Sequence, residues 1–235
     1  MGLADIHMHT IFSYDGTATV PAVLQRAARV GLHIIAITDH DEIRGALMAE
    51  QLGSHFGIQV IPGVEITTAE GDLLALSIHK LIPAGLSLIE TVKRVGAQGG
   101  FCVAPHPGAT GLGMKSLSAF SIFRAVKDQE VGKILIGIET YNATTLDRDA
   151  NHSAKIWAER LNVAQTGSSD AHVLEAIGLG TTIFPGSTIS DLYSALWTGT
   201  TQVRKGPEWG SAQVLGKWAA NYLMSVPAHF SQAMA

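Results

Sequence analysis

Short runs of consecutive apolar residues alternate along the chain with longer stretches in which apolar residues recur every three or four positions. The runs Leu3–Met8, Ile34–Thr38, Gln59–Ile66, Leu73–Ile78, Phe101–Pro105, Ile134–Tyr141 and Val163–Gly167 predict seven strands. Apolar side chains at successive positions mean that both faces of each strand are covered. Between them, Val20, Val23, Leu24, Ala27 and Val30 fall at helical spacing, as do Ala150, Ala154, Ala158 and Leu161. Thr19 suits an N-cap, Pro21 a first helical turn and Gly31 a C-terminal stop. Strand-helix alternation predicts an α/β fold on a parallel sheet, because parallel neighbours need a crossover.

That sheet can be open and doubly wound or closed into a barrel. Neither GxGxxG nor GxxxxGK[ST] follows the first strand, where a phosphate-cradling open sheet would carry one. His-x-His follows it instead. A barrel gathers its functional residues after strand C-termini, on one rim. The strand ends here carry Asp5, His7 and His9, then Asp39, His40 and Asp41, then Glu65, His106, Glu139, and finally Asp170 with His172. Side chains alternate along a strand, so His7 and His9 share one side. Asp15 sits in the loop SYDG, free to fold back over the rim, and the Gly-rich segment Pro107–Gly113 is long enough to act as a lid.

Four or five carboxylates converging on one low-dielectric mouth would repel one another strongly. Divalent cations remove that repulsion. Imidazole with carboxylate suits zinc, manganese or iron, and the donors exceed what one ion can use, which implies two or three ions. Each residue also has a duller explanation. His33, His55, His152 and His229 read as ordinary polar residues, Asp41 equally as an N-cap for a helix Glu42–Ser54, and Glu139 equally as structural or substrate-positioning.

Composition narrows the setting. The chain has 235 residues, 46% of them hydrophobic and 15% charged, which describes one compact domain with a large core. Its single cysteine, Cys102, lies in an apolar run and reads as a buried free thiol, so nothing points to an oxidising compartment. A net charge of −4 argues against long nucleic acids as partners. Candidate ligands already stand at His7 and His9, so a cleaved leader would remove the site, and a cytoplasmic protein is expected. The apolar C-terminal stretch is broken by Lys217, Asn221 and Pro227, and Leu215, Trp218, Ala219, Tyr222 and Leu223 fall on one stripe, so no membrane contact is expected. With Trp209, that helix reads as a dimer surface or as a lid on the barrel floor.

DIHMHT at 5–10, SYDG at 13–16, ITDHDE at 37–42, IPGVEI at 61–66, APHP at 104–107 and SSDAH at 168–172 resemble the ordered motifs of the polymerase and histidinol phosphatase (PHP) family of metal-dependent phosphoesterases. The resemblance spans about residues 3–205. It implies a distorted, TIM-like seven-stranded β/α barrel over residues 1–205, with residues 206–235 as a helical extension packed on it. It further implies that His7 and His9 hold one metal with Glu65 and Asp170 as bridges, that His106 and Glu65 hold a second, and that Asp15, His40 and His172 hold a third, Asp15 replacing a histidine of some members. The family often has a further histidine in the strand after the glutamate. Here that position is Leu74, and Asp72 or His79 would have to compensate, although strand parity turns His79 away.

The expected activity is hydrolysis of a small phosphate ester, a nucleotide or a sugar or metabolite phosphate, by a hydroxide held between metals. Asp170 is a catalytic candidate through its bridging place, and Asp39 or a metal-bound water is the candidate proton donor to the leaving group. Arg44, Lys115 and Arg148 are candidates to grip the rest of an anionic substrate. Two alternatives stand beside this reading. One is an amide or lactone hydrolase using the same centre; the other is a non-catalytic, metal-stabilised binding module.

Overall fold

The computed structural model describes residues 1–111 and 114–233; Leu112 and Gly113, within the expected lid segment, lie outside the described residues. The elements run β1 (Gly2–Asp5), α1 (Val20–Arg29), β2 (Ile34–Ile37), α2 (Arg44–Leu52), β3 (Gln59–Thr67), β4 (Asp72–Leu76), α3 (Leu88–Ala97), β5 (Phe101–Ala104), α4 (Ala119–Lys127), β6 (Leu135–Asn142), α5 (Arg148–Leu161), β7 (Ala164–Ser168), β8 (Gly180–Phe184), α6 (Ile189–Thr198), β9 (Gln202–Lys205) and α7 (Ser211–Ala233). The seven expected strands are β1 to β7. Two more bring the sheet to nine, in the order β7-β6-β5-β4-β3-β2-β1-β8-β9.

The strand count and the parallel rule are therefore corrected. β4 runs antiparallel to both β3 and β5, because the residues between Thr67 and Asp72 are too few for a crossover and form a turn instead. β8 is antiparallel to β1 and β9 to β8. Both escaped the apolar-run criterion: β8 reads GTTIF, with threonines turned inward, and β9 is a mostly exposed edge reading QVRK.

Successive side chains of β2 divide the core. Ile35 and Ile37 pack with Val23, Leu24 and Ala27 of α1 and Ala46 and Ala49 of α2. Ile34 and Ala36 face a second cluster with Ala4, Ile61, Leu74 and Val103, closed by Phe184 and by Leu192 and Leu196 of α6. Thus α6 occupies the place where α7 was one candidate. α1 starts at the expected point, with Pro21 in its first turn and Gly31 past its end at φ 78°, but the Thr19 side chain makes no capping bond.

The sheet curls until its far edges nearly meet. Beyond β1 the chain stays extended, and Asp170 N–H donates to His7 O (2.9 Å) while His9 N–H donates to Ala171 O (2.9 Å). β8 fills the seam beneath this bridge: the Thr182 hydroxyl donates to Gly167 O and accepts from Gly167 N–H. The approach is close enough that a Cβ on Gly180 would lie 2.1 Å from Ser168 O. Asp5 pins the same seam, accepting from Ser169 N–H and Gly178 N–H, each at 3.0 Å. Among the described residues no helix is long and apolar enough to cross a membrane.

Two outcomes follow. Asp5→Ala leaves the buried Ser169 N–H unpaired at about 1–3 kcal/mol and also frees the half-buried Gly178 N–H, so denaturant unfolding should show about 1–3 kcal/mol or more of lost stability; a loss under about 1 kcal/mol would contradict the seam's role. Cys102 is fully buried, and burial pushes its thiol up. It should resist a disulfide-exchange reagent in buffer and react stoichiometrically in denaturant.

Candidate metal centre

The curled sheet delivers its polar strand ends to one mouth. His7 and His9 extend from β1, Glu65 lies near the end of β3, His106 follows β5, and Asp170 and His172 follow β7. Asp41, His106 and Asp170 have φ of 50°, 29° and 51°, a left-handed region costly for non-glycine residues. At His106 and Asp170 the turn aims the side chain back over the strand end, where it meets groups from other strands. Asp41 turns instead to accept from Thr67 N–H, and α2 starts later than a cap at Asp41 requires, with Ile43 at its N-cap.

All eight candidate ligands come together. His7 Nε2 lies 3.1 Å from Glu65 Oε2 and 3.2 Å from Asp170 Oδ1; His9 Nε2 lies 3.3 and 3.1 Å from the same two oxygens, and the two nitrogens are 3.3 Å apart. His106 Nε2 meets the other Glu65 oxygen at 3.0 Å. Asp15 Oδ2 lies 3.1 Å from His172 Nε2 and 3.4 Å from His40 Nε2. Three overlapping groups result, each with its ligand atoms within 4.8 Å of one another: His7, His9 and Asp170; His7, Glu65 and His106; and His9, Asp15, His40 and His172.

The electrostatics of the mouth are set by buried carboxylates. Burial alone would raise Glu65 and Asp170, but it is outweighed by the neighbouring imidazoles, which hold both carboxyls well below their usual range. Burial would likewise lower the histidines. Asp170, Glu65 and Glu139 instead lift His7 well above its ordinary value, Glu65 and Asp15 push His40 up to about 10, and Asp15 and Asp170 push His172 up to about 9. The carboxylates demand positive charge here, which protons or metal cations can supply.

Several residues orient these groups without belonging to the three sets. Glu139 is fully buried; Oε1 accepts from His7 Nδ1 (3.0 Å), which leaves His7 Nε2 turned to the mouth, and Oε2 accepts from His106 N–H (2.8 Å). The Asn142 amide donates to both Glu139 Oε2 and Asp170 Oδ2, each at 3.0 Å. The Ser13 hydroxyl donates to Asp15 Oδ1 (2.8 Å). Sequence reading missed Asn142 and Ser13, since a single amide or hydroxyl carries no motif of its own.

Other candidates fall outside. Asp39 is fully buried and both its oxygens accept from Thr10, through the backbone N–H and the hydroxyl, so it does not line the mouth. Arg44 pairs with Glu42 on the surface. Arg148 donates to Ala143 O and Trp209 O, and Lys115 is exposed; neither lines the cavity. His79 pairs with Glu50 at the surface, and His33, His55, His152 and His229 join no group. Leu74 lies opposite Glu65 in the β3–β4 ladder and is buried in the second core cluster. Asp72, two residues earlier, does line the mouth. Its Oδ1 is buried without a partner among the described residues, and burial, with Glu65 adding to it, pushes the carboxyl up to about 6.

Above the donors lies a cavity of about 380 Å³. Trp209, Val214, Leu215 and Trp218 line one part of it, so the first turns of α7 cover the mouth rather than the barrel floor. Trp218 Nε1–H donates to Asp15 O (2.9 Å), and the Tyr14 ring stacks on His40.

The chain is 34% identical over 161 residues to an uncharacterized protein of Methanocaldococcus jannaschii, covering 64% of this chain and 88% of that one. Its fold is similar to that of a two-domain Bacteroides vulgatus protein containing a predicted PHP-like metal-dependent phosphoesterase, with a TM-score of 0.70 and 20% identity over 93% of this chain and 69% of that one. It is also similar to an amidohydrolase from Chromobacterium violaceum, with a TM-score of 0.59 and 19% identity over 93% and 96% of the two chains. The family model described as the PHP domain matches residues 5–176, a span that contains every one of the gathered histidines and carboxylates, and the chain therefore belongs to the PHP family.

Proposed function

We propose that this chain hydrolyses a small phosphate ester at two or three divalent cations, zinc, manganese or iron, held by His7, His9, Asp15, His40, Glu65, His106, Asp170 and His172. One observation carries the reading. The Glu65 and Asp170 oxygens that face the mouth each lie 3.1–3.3 Å from the nitrogens of both His7 and His9, and those two nitrogens are 3.3 Å apart. Donors that share a small divalent ion with bonds of about 2.0 Å stand about 3.3 Å apart, so these nitrogen–oxygen and nitrogen–nitrogen spacings fit residues that would hold such an ion. Cations bound there supply an activated water and neutralise charge on the phosphoryl oxygens.

The chain's own residues do the rest. Glu139 keeps the proton of His7 on Nδ1, and Asn142 fixes the outer oxygens of Glu139 and Asp170, so the donor atoms are held in place before substrate arrives. Asp72 is the proton donor we favour over Asp39: it lines the cavity, its Oδ1 has no partner among the described residues, and its carboxyl, raised to about 6, can hold a proton for the departing alkoxide. Residues 1–205 form the catalytic unit, and residues 206–235 an extension that shapes the mouth. The likeness to an amidohydrolase favours a second reading, amide or lactone hydrolysis on the same centre. Parallel ester and amide panels separate the two.

His7 belongs to two of the three donor groups, and His172 to one. Elemental analysis should therefore find His7→Ala depleted of most of its metal and inactive, by more than the 10–100-fold typical of lost orienting residues, while His172→Ala keeps the ions of the other two groups. Full loading of His7→Ala would refute the assignment. Asp72→Asn should lose about 10²–10³-fold in kcat on alkyl phosphates but far less on nitrophenyl phosphate, whose leaving group needs no proton. Because the acid acts protonated, wild-type rates on alkyl esters should fall as pH rises through the titration of Asp72, which burial raises, and the variant should lack that limb.

A further inference from the structure

The charged groups lining the cavity, among the described residues, are the carboxylates Asp15, Glu65, Asp72 and Asp170 and the imidazoles His40, His106 and His172; neither lysine nor arginine is present. Of the basic residues close to the lining in chain order, Arg148 is engaged on two backbone carbonyls, Arg44 on Glu42 and Lys217 on Glu175, and Lys115 is exposed. A second phosphate or carboxylate on the substrate would thus find no lysine or arginine on the wall to receive it, beyond the metals that take the reacting phosphate.

Apart from Tyr14 and Thr144, the remaining wall is apolar. Leu146, Val173, Trp209, Val214, Leu215 and Trp218 line it. The indoles are fixed rather than loosely placed. Trp218 donates to Asp15 O, Lys217 Nζ sits 5.3 Å from the centroid of the Trp209 ring while pairing with Glu175, and Arg148 holds the Trp209 carbonyl. At about 380 Å³ the space lies near the small end of ligand sites, about 300–1,000 Å³, which suits a phosphate and one or two fused rings rather than a strand or a polyphosphate.

Resting on the phosphoesterase reading, we infer that the substrate is a monophosphate ester of an uncharged, flat aromatic alcohol, recognised by the Trp209–Trp218 wall of the C-terminal extension. The alcohol occupies the apolar side and the phosphate the donor cluster, and water displaced from the indole faces drives selection.

Two measurements on the metal-loaded full chain test this. Hydrolysis of naphthylmethyl phosphate, glycerol phosphate and a sugar bisphosphate compares alcohols whose leaving-group chemistry is similar. Calorimetric binding of naphthylmethylphosphonate and methylphosphonate needs no turnover. The aromatic ester should exceed glycerol phosphate at least 50-fold in kcat/KM, with the bisphosphate slowest, and the aromatic phosphonate should bind at least 10-fold tighter than methylphosphonate. Trp209→Ala should raise KM for the aromatic ester about tenfold more than KM for glycerol phosphate. Leu215→Lys, a change on an exposed helix face, should raise the bisphosphate rate relative to wild type. Turnover of all three esters at similar rates would overturn the inference and leave the phosphoesterase reading standing. Aromatic preference in phosphonate binding, with every ester inert, would overturn that reading and support the wall's selectivity. Equal or undetectable binding of the two phosphonates would overturn the inference.

Discussion

Two backbone hydrogen bonds, from Asp170 N–H to His7 O and from His9 N–H to Ala171 O, decide whether this molecule has a site at all. They join segments separated by 163 and 162 positions, and every contact between the His-x-His run and Asp170 or His172 depends on them. What they assemble is electrostatically unstable by itself. Glu65, Glu139 and Asp170 are buried within reach of one another's partners, and only the positive charge of neighbouring imidazoles, or of cations taking their place, makes that burial tolerable. The fold supplies the rigidity to hold such a cluster together. Thr182, Gly180 and Asp5 at the seam supply it through close backbone approach rather than through apolar mass.

The seven buried strands were legible because residues covered on both faces must be apolar at successive positions, a pattern that β2 and β5 keep without exception. The donor set was legible for a related reason: histidine and carboxylate at strand ends have no packing purpose, so their recurrence stands out, and ordered motifs reinforce it. The antiparallel turn of β4 and the two late strands were hidden. Direction is decided by connection length, and β8 and β9 present threonine, glutamine and arginine where a buried strand would show valine or isoleucine.

At the mouth itself, what stayed hidden was the choice between chemically equivalent residues. Asp39 and Asp72 are both aspartates beside the rim, yet one is consumed by Thr10 and the other keeps an oxygen free; nothing in either local sequence distinguishes them. Arg148 reads as a substrate clamp until its guanidinium is seen bracing the chain before α7. Such assignments are fixed by partners far along the chain, and Glu139 and Asn142 acquire their orienting parts the same way.

The placement of α7 has a wider consequence. The donor cluster lies inside the matched span 5–176, whereas the indole wall above it begins only at Trp209. The donor cluster and the indoles proposed to select its substrate therefore lie in separate stretches of polypeptide, joined through a few braces such as Trp218 to Asp15. Exchanging the appended helix for another of different polarity would retarget the same reaction centre, a route to new specificities that leaves the barrel untouched.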